Sequence, residues 1–157
     1  MTESNIKESD IKIRPMVRAD IDKVVLIETL IFSEPWPKAA FEEELEREER
    51  GIIVAEIKSV IVGYAGFITA AGEAHLTNMG VVPDFRGKGI AKTLLKCILE
   101  IAKKAESDYI FLDVRPSNTA AINLYSKFGF TELYRRPNYY RIPPEDALVM
   151  VKILSED

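Results

Sequence analysis

Two stretches of the chain combine residue types and spacings able to do chemistry. The first is Val81-Val82-Pro83-Asp84-Phe85-Arg86-Gly87-Lys88-Gly89-Ile90-Ala91, an apolar run that turns into a helical pattern. A helix N-terminus presents unsatisfied N–H groups and a partial positive charge, and together these receive phosphate. Gly87 and Gly89 allow a close backbone approach to an anion, while Arg86 and Lys88 add positive charge at the same spot. Two glycines also suit an ordinary strand-to-helix connection, so on residue types alone both readings stand. The run fits neither GxxxxGK[ST] nor GxGxxG, which removes the two commonest nucleotide loops.

The second stretch is Leu112-Asp113-Val114-Arg115-Pro116-Ser117-Asn118-Thr119-Ala120-Ala121-Ile122-Asn123-Leu124-Tyr125. Asn118 and Tyr125 are seven positions apart, so on a helix they lie within roughly 20° of one another and can address one ligand. Asn118 is equally a helix cap, and Tyr125 equally a core aromatic. His75 is the single histidine, and its ordinary pKa near 6.5 suits proton transfer. An exposed imidazole at a strand end is the simpler reading of it.

These residues need a frame. Ile11-Lys12-Ile13-Arg14 alternates as a short strand stopped by Pro15. Asp20 can cap a helix with apolar positions Ile21, Val24, Val25, Ile27 and Ile31. Ser33-Glu34-Pro35-Trp36-Pro37 breaks it, and Pro37 opens a second helix through Phe41 and Leu45. Glu42, Glu43, Glu44, Glu46, Glu48 and Glu49 are expected on its solvated face. Gly51 to Ile57 and Val60 to Ile68 flank Lys58-Ser59 as a hairpin, and a third strand spans about Ala74 to Val82. Ala91, Leu94, Leu95, Ile98 and Ala102 form the buried stripe of a long helix. Tyr109 to Val114 reads as a strand, and Ser117 or Asn118 starts a short helix ending at Phe128-Gly129. Two final strands bracket Pro143-Pro144. The class is α/β, in one domain over residues 11–154 with a loose polar tail over residues 1–10.

Composition narrows the function classes. With 157 residues, 47% hydrophobic and 29% charged, the chain has the proportions of one globular domain. The net charge of −4 argues against nucleic-acid binding through a broad basic face. A single cysteine, Cys97, excludes an intrachain disulfide and a cysteine zinc site, and with no apolar leader the expected location is the cytoplasm.

Arg86-x-x-Gly89-x-Ala91 resembles the (Gln/Arg)-x-x-Gly-x-(Gly/Ala) motif of the GCN5-related N-acetyltransferases, and the order of elements from Ile11 to Leu154 is similar to theirs. The resemblance implies a mixed, mostly antiparallel central sheet flanked by helices, with acetyl-CoA as co-substrate and no metal. Met79, Gly80 and Val81 would pair with the pantetheine arm, Arg86, Gly87, Lys88, Gly89, Ile90 and Ala91 would cradle the pyrophosphate, and Asn118 would contact the cofactor. Ser117-Asn118, Ala121, Leu124-Tyr125 and Phe128-Gly129-Phe130 resemble a narrower group, the ribosomal-protein-alanine N-acetyltransferases (RimI-type). Pro35-Trp36, Asn138-Tyr139-Tyr140 and Glu145-Asp146-Ala147 point the same way. That resemblance makes Asp113 the general base and Tyr125 the general acid, with Trp36, Tyr139 and Tyr140 flanking a peptide groove. It departs in one place: the group has glutamate where this chain has Asp113, so a water relay becomes the expected route. Related enzymes use a histidine–tyrosine pair, and His75 stands at the tyrosine's place. Trp36 has an equal claim as a loop anchor, and Arg135 and Arg136 read as surface charges.

The acceptor's chemistry agrees mildly. Neutralising an α-amine of pKa about 7.7–8.0 near pH 7.4 costs about 0.5 kcal/mol, against about 4 kcal/mol for lysine at about 10.4. A weak or water-mediated base suffices for the first. The expectation is therefore direct acetyl transfer to the N-terminus of a protein, foremost a ribosomal protein with N-terminal alanine, by a monomer or weak dimer without membrane or nucleic-acid contacts. The alternatives are a broader peptide or small-amine acetyltransferase, and a non-catalytic acyl-CoA-sensing module.

Overall fold

The structure, a computed structural model, describes residues 5–155. Its frame is a seven-stranded sheet of order β1-β2-β3-β4-β5-β7-β6, made from β1 (Lys12–Pro15), β2 (Arg50–Ile57), β3 (Val60–Ala70), β4 (Glu73–Val81), β5 (Tyr109–Val114), β6 (Thr131–Arg141) and β7 (Pro144–Ile153). Neighbours are antiparallel except β4 and β5, which run parallel because a helix over Ile90–Lys104 crosses between them. The Lys58-Ser59 turn has positive φ at both positions, 50° and 67°, the backbone twist a two-residue hairpin requires.

Helices cover the sheet on both faces. On one, α3 (Ile90–Lys104) buries Leu94, Leu95, Ile98 and Ala102 against Ala55, Val62, Leu76 and Ile110, and α4 (Thr119–Lys127) adds Tyr125 to the same core. On the other, α1 (Ile21–Ile31) and α2 (Lys38–Glu44) bury Ile21, Val24, Ile27 and Phe41 against Ile52, Val54 and Tyr64. Among the described residues no helix is long and apolar enough to cross a membrane.

Three local expectations change. Asp20 precedes α1, but its side chain does not cap it. Its carboxylate instead accepts from Arg14 at 2.7 and 3.0 Å and from the Val17 N–H at 2.8 Å, because a bidentate guanidinium is a stronger donor than a helix amide. Glu44 leaves the solvated glutamate face: it is buried and pairs with Arg50 at 2.7 Å. The polar N-terminal stretch is also partly built into the domain. Residues 1–4 lie outside those described, but Glu8–Asp10 forms a 3-10 turn, Ile6 packs on the core and Glu8 reaches Lys96 at 3.5 Å.

The Arg14 guanidinium holds the Asp20 carboxyl below its usual range. A depressed folded-state pKa contributes stability above the unfolded value, about 3.9, and loses it as pH falls through the folded one. Asp20→Asn is therefore expected to lower Tm at pH 7, with the gap to the parent narrowing progressively below about pH 4. Thermal melts across that range measure it.

Candidate active site

The parallel pair that organises the site is short. β4 pairs with β5 only over Glu73–Leu76 against Tyr109–Leu112. Past that point the strands part, and residues 77–81 of β4 and 113–114 of β5 lose their mutual partners while β4 remains paired to β3. Backbone N–H and C=O groups at a parted strand demand partners. The gap thus offers an extended ligand the place of a strand, and Met79, Gly80 and Val81 line it. Gly80 is required there: a Cβ at this position would sit 2.8 Å from the Tyr64 hydroxyl.

At the end of β4 the chain passes through a Pro83–Phe85 turn into α3. Gly87 and Gly89 have φ of 76° and 84°, and a Cβ at either would meet nothing within 4 Å, so backbone conformation selects glycine here. Gly89 caps α3, Arg86 is exposed, and a cavity of about 130 Å³ lined by Lys88, Gly89, Lys92, Thr93, Glu8 and Ile11 opens beside the helix start. Cations and free helix N–H groups at one point are able to receive an anion. Ile90 is buried in the core and Ala91 packs against it, so those two position the loop.

Asp113 stands on β5 at the mouth of the gap, with its side chain partly exposed. The β6–β7 hairpin brings Tyr139 and Tyr140 to it, their rings edge to face at 5.1 Å. Burial, and then the Asp113 charge, raise the Tyr139 hydroxyl, and the same causes push Tyr140 up to about 12. Arg115 lies 4.2 Å over the Tyr140 ring and hydrogen-bonds to Ile142 O and Pro143 O. Glu145 ties the same hairpin to Arg115 and to the Ser117 N–H and hydroxyl. From the opposite side Glu34 accepts from the Arg141 and Ile142 N–H groups at 2.8 and 2.7 Å, which holds its carboxyl below the usual range. The α1–α2 loop and the hairpin are thereby fastened together beside Asp113.

The remaining expected residues divide. Asn118 caps α4, its Oδ1 accepting from the Ala121 N–H at 3.2 Å. Tyr125 is 7% exposed and rests against Phe130, and burial together with the nearby Tyr140 raises its hydroxyl well above the ordinary tyrosine range. Trp36 is half-buried, packed on Phe41 at 5.3 Å. His75 stacks on Phe111, its register partner on β5, and lies 3.8 Å from Glu73. Asp113 is two positions further along that strand and so shares its face with Phe111.

Several site residues escaped the sequence reading. Glu28 is 2% exposed and accepts from the Trp36 N–H at 2.9 Å, from Asn78 Nδ2 at 3.2 Å and from the Tyr64 hydroxyl. A carboxyl beside Val24, Ile27 and Ile31 on an apolar stripe was the available signal. Glu34 gave none, since its partners are backbone groups far away in sequence, and Glu145, singled out only by resemblance, gave no sign of its ties to Arg115 and Ser117. Arg136, expected as a surface charge, approaches Asp113 at 3.6 Å.

The fold and the site together define an acetyltransferase: residues 21–130 match the model of the acetyltransferase (GNAT) family, and the chain belongs to that family, whose enzymes use acetyl-CoA. Within it, the chain is 34% identical over 146 residues to the N-alpha-acetyltransferase RimI of Mycobacterium tuberculosis, covering 89% of this chain and 90% of the relative. It is 30% identical to the ribosomal protein bS18-alanine N-acetyltransferase of Haemophilus ducreyi, covering 90% and 99%. The crystal structure of the ribosomal-protein-S18-alanine N-acetyltransferase from Escherichia coli superposes with a TM-score of 0.84 at 28% identity, covering 91% and 93%.

Proposed function

We propose that this enzyme transfers the acetyl group of acetyl-CoA to the N-terminal alanine of a ribosomal protein. The observation that carries this reading is Asp113 at the mouth of the β4–β5 gap, faced by Tyr139 and Tyr140 on a hairpin fastened to the α1–α2 loop. That arrangement suits an extended peptide end meeting a thioester. Similarity to proteins named for bS18 alanine acetylation supports the choice of acceptor. Such an enzyme works in the cytoplasm, where ribosomal proteins are made.

In this reading the pantetheine arm takes the strand position beside Met79, Gly80 and Val81. Its pyrophosphate rests on the α3 start between Arg86 and Ala91, with Asn118 against the cofactor. Asp113 receives through water the proton that the neutral α-amine sheds as it attacks, its side chain being one methylene shorter than the glutamate of the RimI-type group. The neutral amine attacks the thioester carbonyl, and β4 backbone N–H groups polarise the oxygen of the tetrahedral intermediate. The C–S bond then breaks, giving the acetylated amine and CoA thiolate, which takes its proton from solvent. Tyr125 stays protonated through the working range because its hydroxyl is raised. Full proton transfer from a tyrosine to a thiolate of pKa about 8.5 is uphill, so its hydrogen bond to the departing sulphur is the working contribution. Trp36, Tyr139 and Tyr140 flank the peptide.

Two substitutions separate these roles. Arg86→Ala is expected to weaken acetyl-CoA binding about tenfold by removing one charge-assisted phosphate contact, as calorimetry would show. Tyr125→Phe keeps the ring on Phe130, so Tm should hold while kcat falls about tenfold to hundredfold.

Mass spectrometry of peptides incubated with enzyme and acetyl-CoA tests the function. The panel holds an N-terminal alanine peptide of a small-subunit ribosomal protein, peptides with other N-termini, and an N-blocked peptide with internal lysine. Acetylation of the alanine N-terminus alone supports the proposal. Acetylation of many N-termini overturns the narrow acceptor in favour of a broad enzyme. Bound acetyl-CoA with no peptide modified overturns it in favour of a small amine or a sensing module.

A further inference from the structure

Asp113 does not face the acceptor alone. Arg136 of β6 approaches its Oδ1 at 3.6 Å through Nε, and the Arg136 guanidinium lies 5.6 Å from the Tyr134 ring centre and 5.8 Å from that of Tyr139. Aromatic faces on two sides limit where such a side chain can go. The other groups around Asp113 are the Tyr139 and Tyr140 hydroxyls from the hairpin and Arg115 at the end of β5, stacked on Tyr140 and bound to Glu145. From β4 comes His75 across Phe111, and from β7 the apolar Val149. Arg115 is thus engaged by its own carboxylate, and Arg136 is the cation that Asp113 has to itself.

We infer that Arg136 is a specificity-determining residue, whose charge offsets that of Asp113 so that the site receives the acceptor as a neutral α-amine and does not retain an ammonium ion. The inference rests on the proposed N-terminal acetylation with Asp113 as base. An unpaired carboxylate at the mouth of the gap would hold a protonated amine as a salt bridge, tightly and unproductively. Attack on the thioester needs the nitrogen lone pair, so such binding lowers the acceptor's reactivity while improving its affinity. The Asp113–Arg136 pair presents little net charge, and the guanidinium lowers the proton affinity of any amine beside it, as a neighbouring like charge does. An α-amine meets that condition near neutral pH. A lysine side chain keeps its proton about 2.5 units further and is turned away.

The test compares the parent enzyme with Arg136→Gln and Arg136→Lys on the alanine peptide from pH 6 to 9.5. It also measures binding of the unacetylated peptide to the enzyme–CoA complex by calorimetry over the same range. A shift of about one unit in the bound amine predicts a kcat about fivefold lower at pH 7 in Arg136→Gln, recovering at pH 9. Peptide KM should fall in that variant, peptide affinity at pH 7 should rise, and Arg136→Lys should restore the parental profile. His75→Gln is included because imidazole titrates in this window, and it should leave the acidic limb in place. An equal loss of kcat at every pH, no change at all, or a limb that moves with His75 would overturn the role of Arg136 while leaving the acetylation reading intact. A parent enzyme that neither binds nor acetylates the alanine peptide would overturn both.

Discussion

Asp113→Ala is expected to lower kcat/KM for the alanine peptide about 10²–10³-fold, the range general-base removal usually gives. Acetyl-CoA affinity should stay within about twofold, because the loop before α3 and the β4 backbone, which the proposal gives to the cofactor, are elsewhere. Tm should change little as well, since the side chain is partly exposed and its ion-pair partner is half in solvent. The decisive comparison is with Asp113→Glu. Glutamate is the residue found in the RimI-type group at this place, and its extra methylene extends the carboxylate toward the amine. A base acting through water tolerates that change and retains most activity, and Asp113→Asn keeps the shape without the proton acceptor and should fail like alanine. Steady-state kinetics beside cofactor calorimetry checks all three. A cofactor affinity that fell along with kcat/KM would mean Asp113 organises the gap rather than the proton transfer.

Glu28→Ala should be the most destabilising of the changes considered. Its carboxyl joins three elements at once: the Trp36 N–H in the α1–α2 loop, the Tyr64 hydroxyl on β3 and the Asn78 amide on β4. Removing it strands three donors in a region where Glu28 is 2% exposed and Tyr64 is fully buried. At about 1 kcal/mol or more for each donor left without a partner, the loss is about 3 kcal/mol. For a domain of this length that corresponds to roughly 6–12 °C in Tm. The same change releases Trp36 from its seat beside Phe41, so peptide KM should rise in the surviving folded enzyme. Glu28→Gln keeps the volume and an acceptor oxygen for Trp36 and Tyr64, and should recover more than half of the stability. Differential scanning calorimetry with peptide and acetyl-CoA kinetics on both variants measures it. If acetyl-CoA KM rose instead of peptide KM, the network would be serving the cofactor strand and not the loop.

These two residues show how differently parts of the site were encoded. Asp113 could be placed on a strand from the short apolar run around it, because such a run is a local feature. Gly87 and Gly89 were legible for a similar reason: a positive φ before a helix is a property of a few consecutive residues, and both glycines adopt it. The long amphipathic helix, the Lys58-Ser59 hairpin and the Asn118 cap were equally local and equally readable. Asp20 and Glu44 were misread for the opposite reason. Each had a sound local role, cap or solvated face, and each is held by an arginine, Arg14 or Arg50, once the chain is packed.

By itself, then, the sequence determined the elements, the glycine turn before α3 and the identity of the strand carrying the carboxylate, since all of these arise from contacts within a few residues. The parting of β4 from β5, the fastening of the hairpin by Glu34 and Glu145, the Glu28 network and the approach of Arg136 to Asp113 were decided only by the tertiary structure. Those contacts join residues from 8 to 108 positions apart. Their geometry depends on how strands order and register, and one-dimensional periodicity carries no record of that.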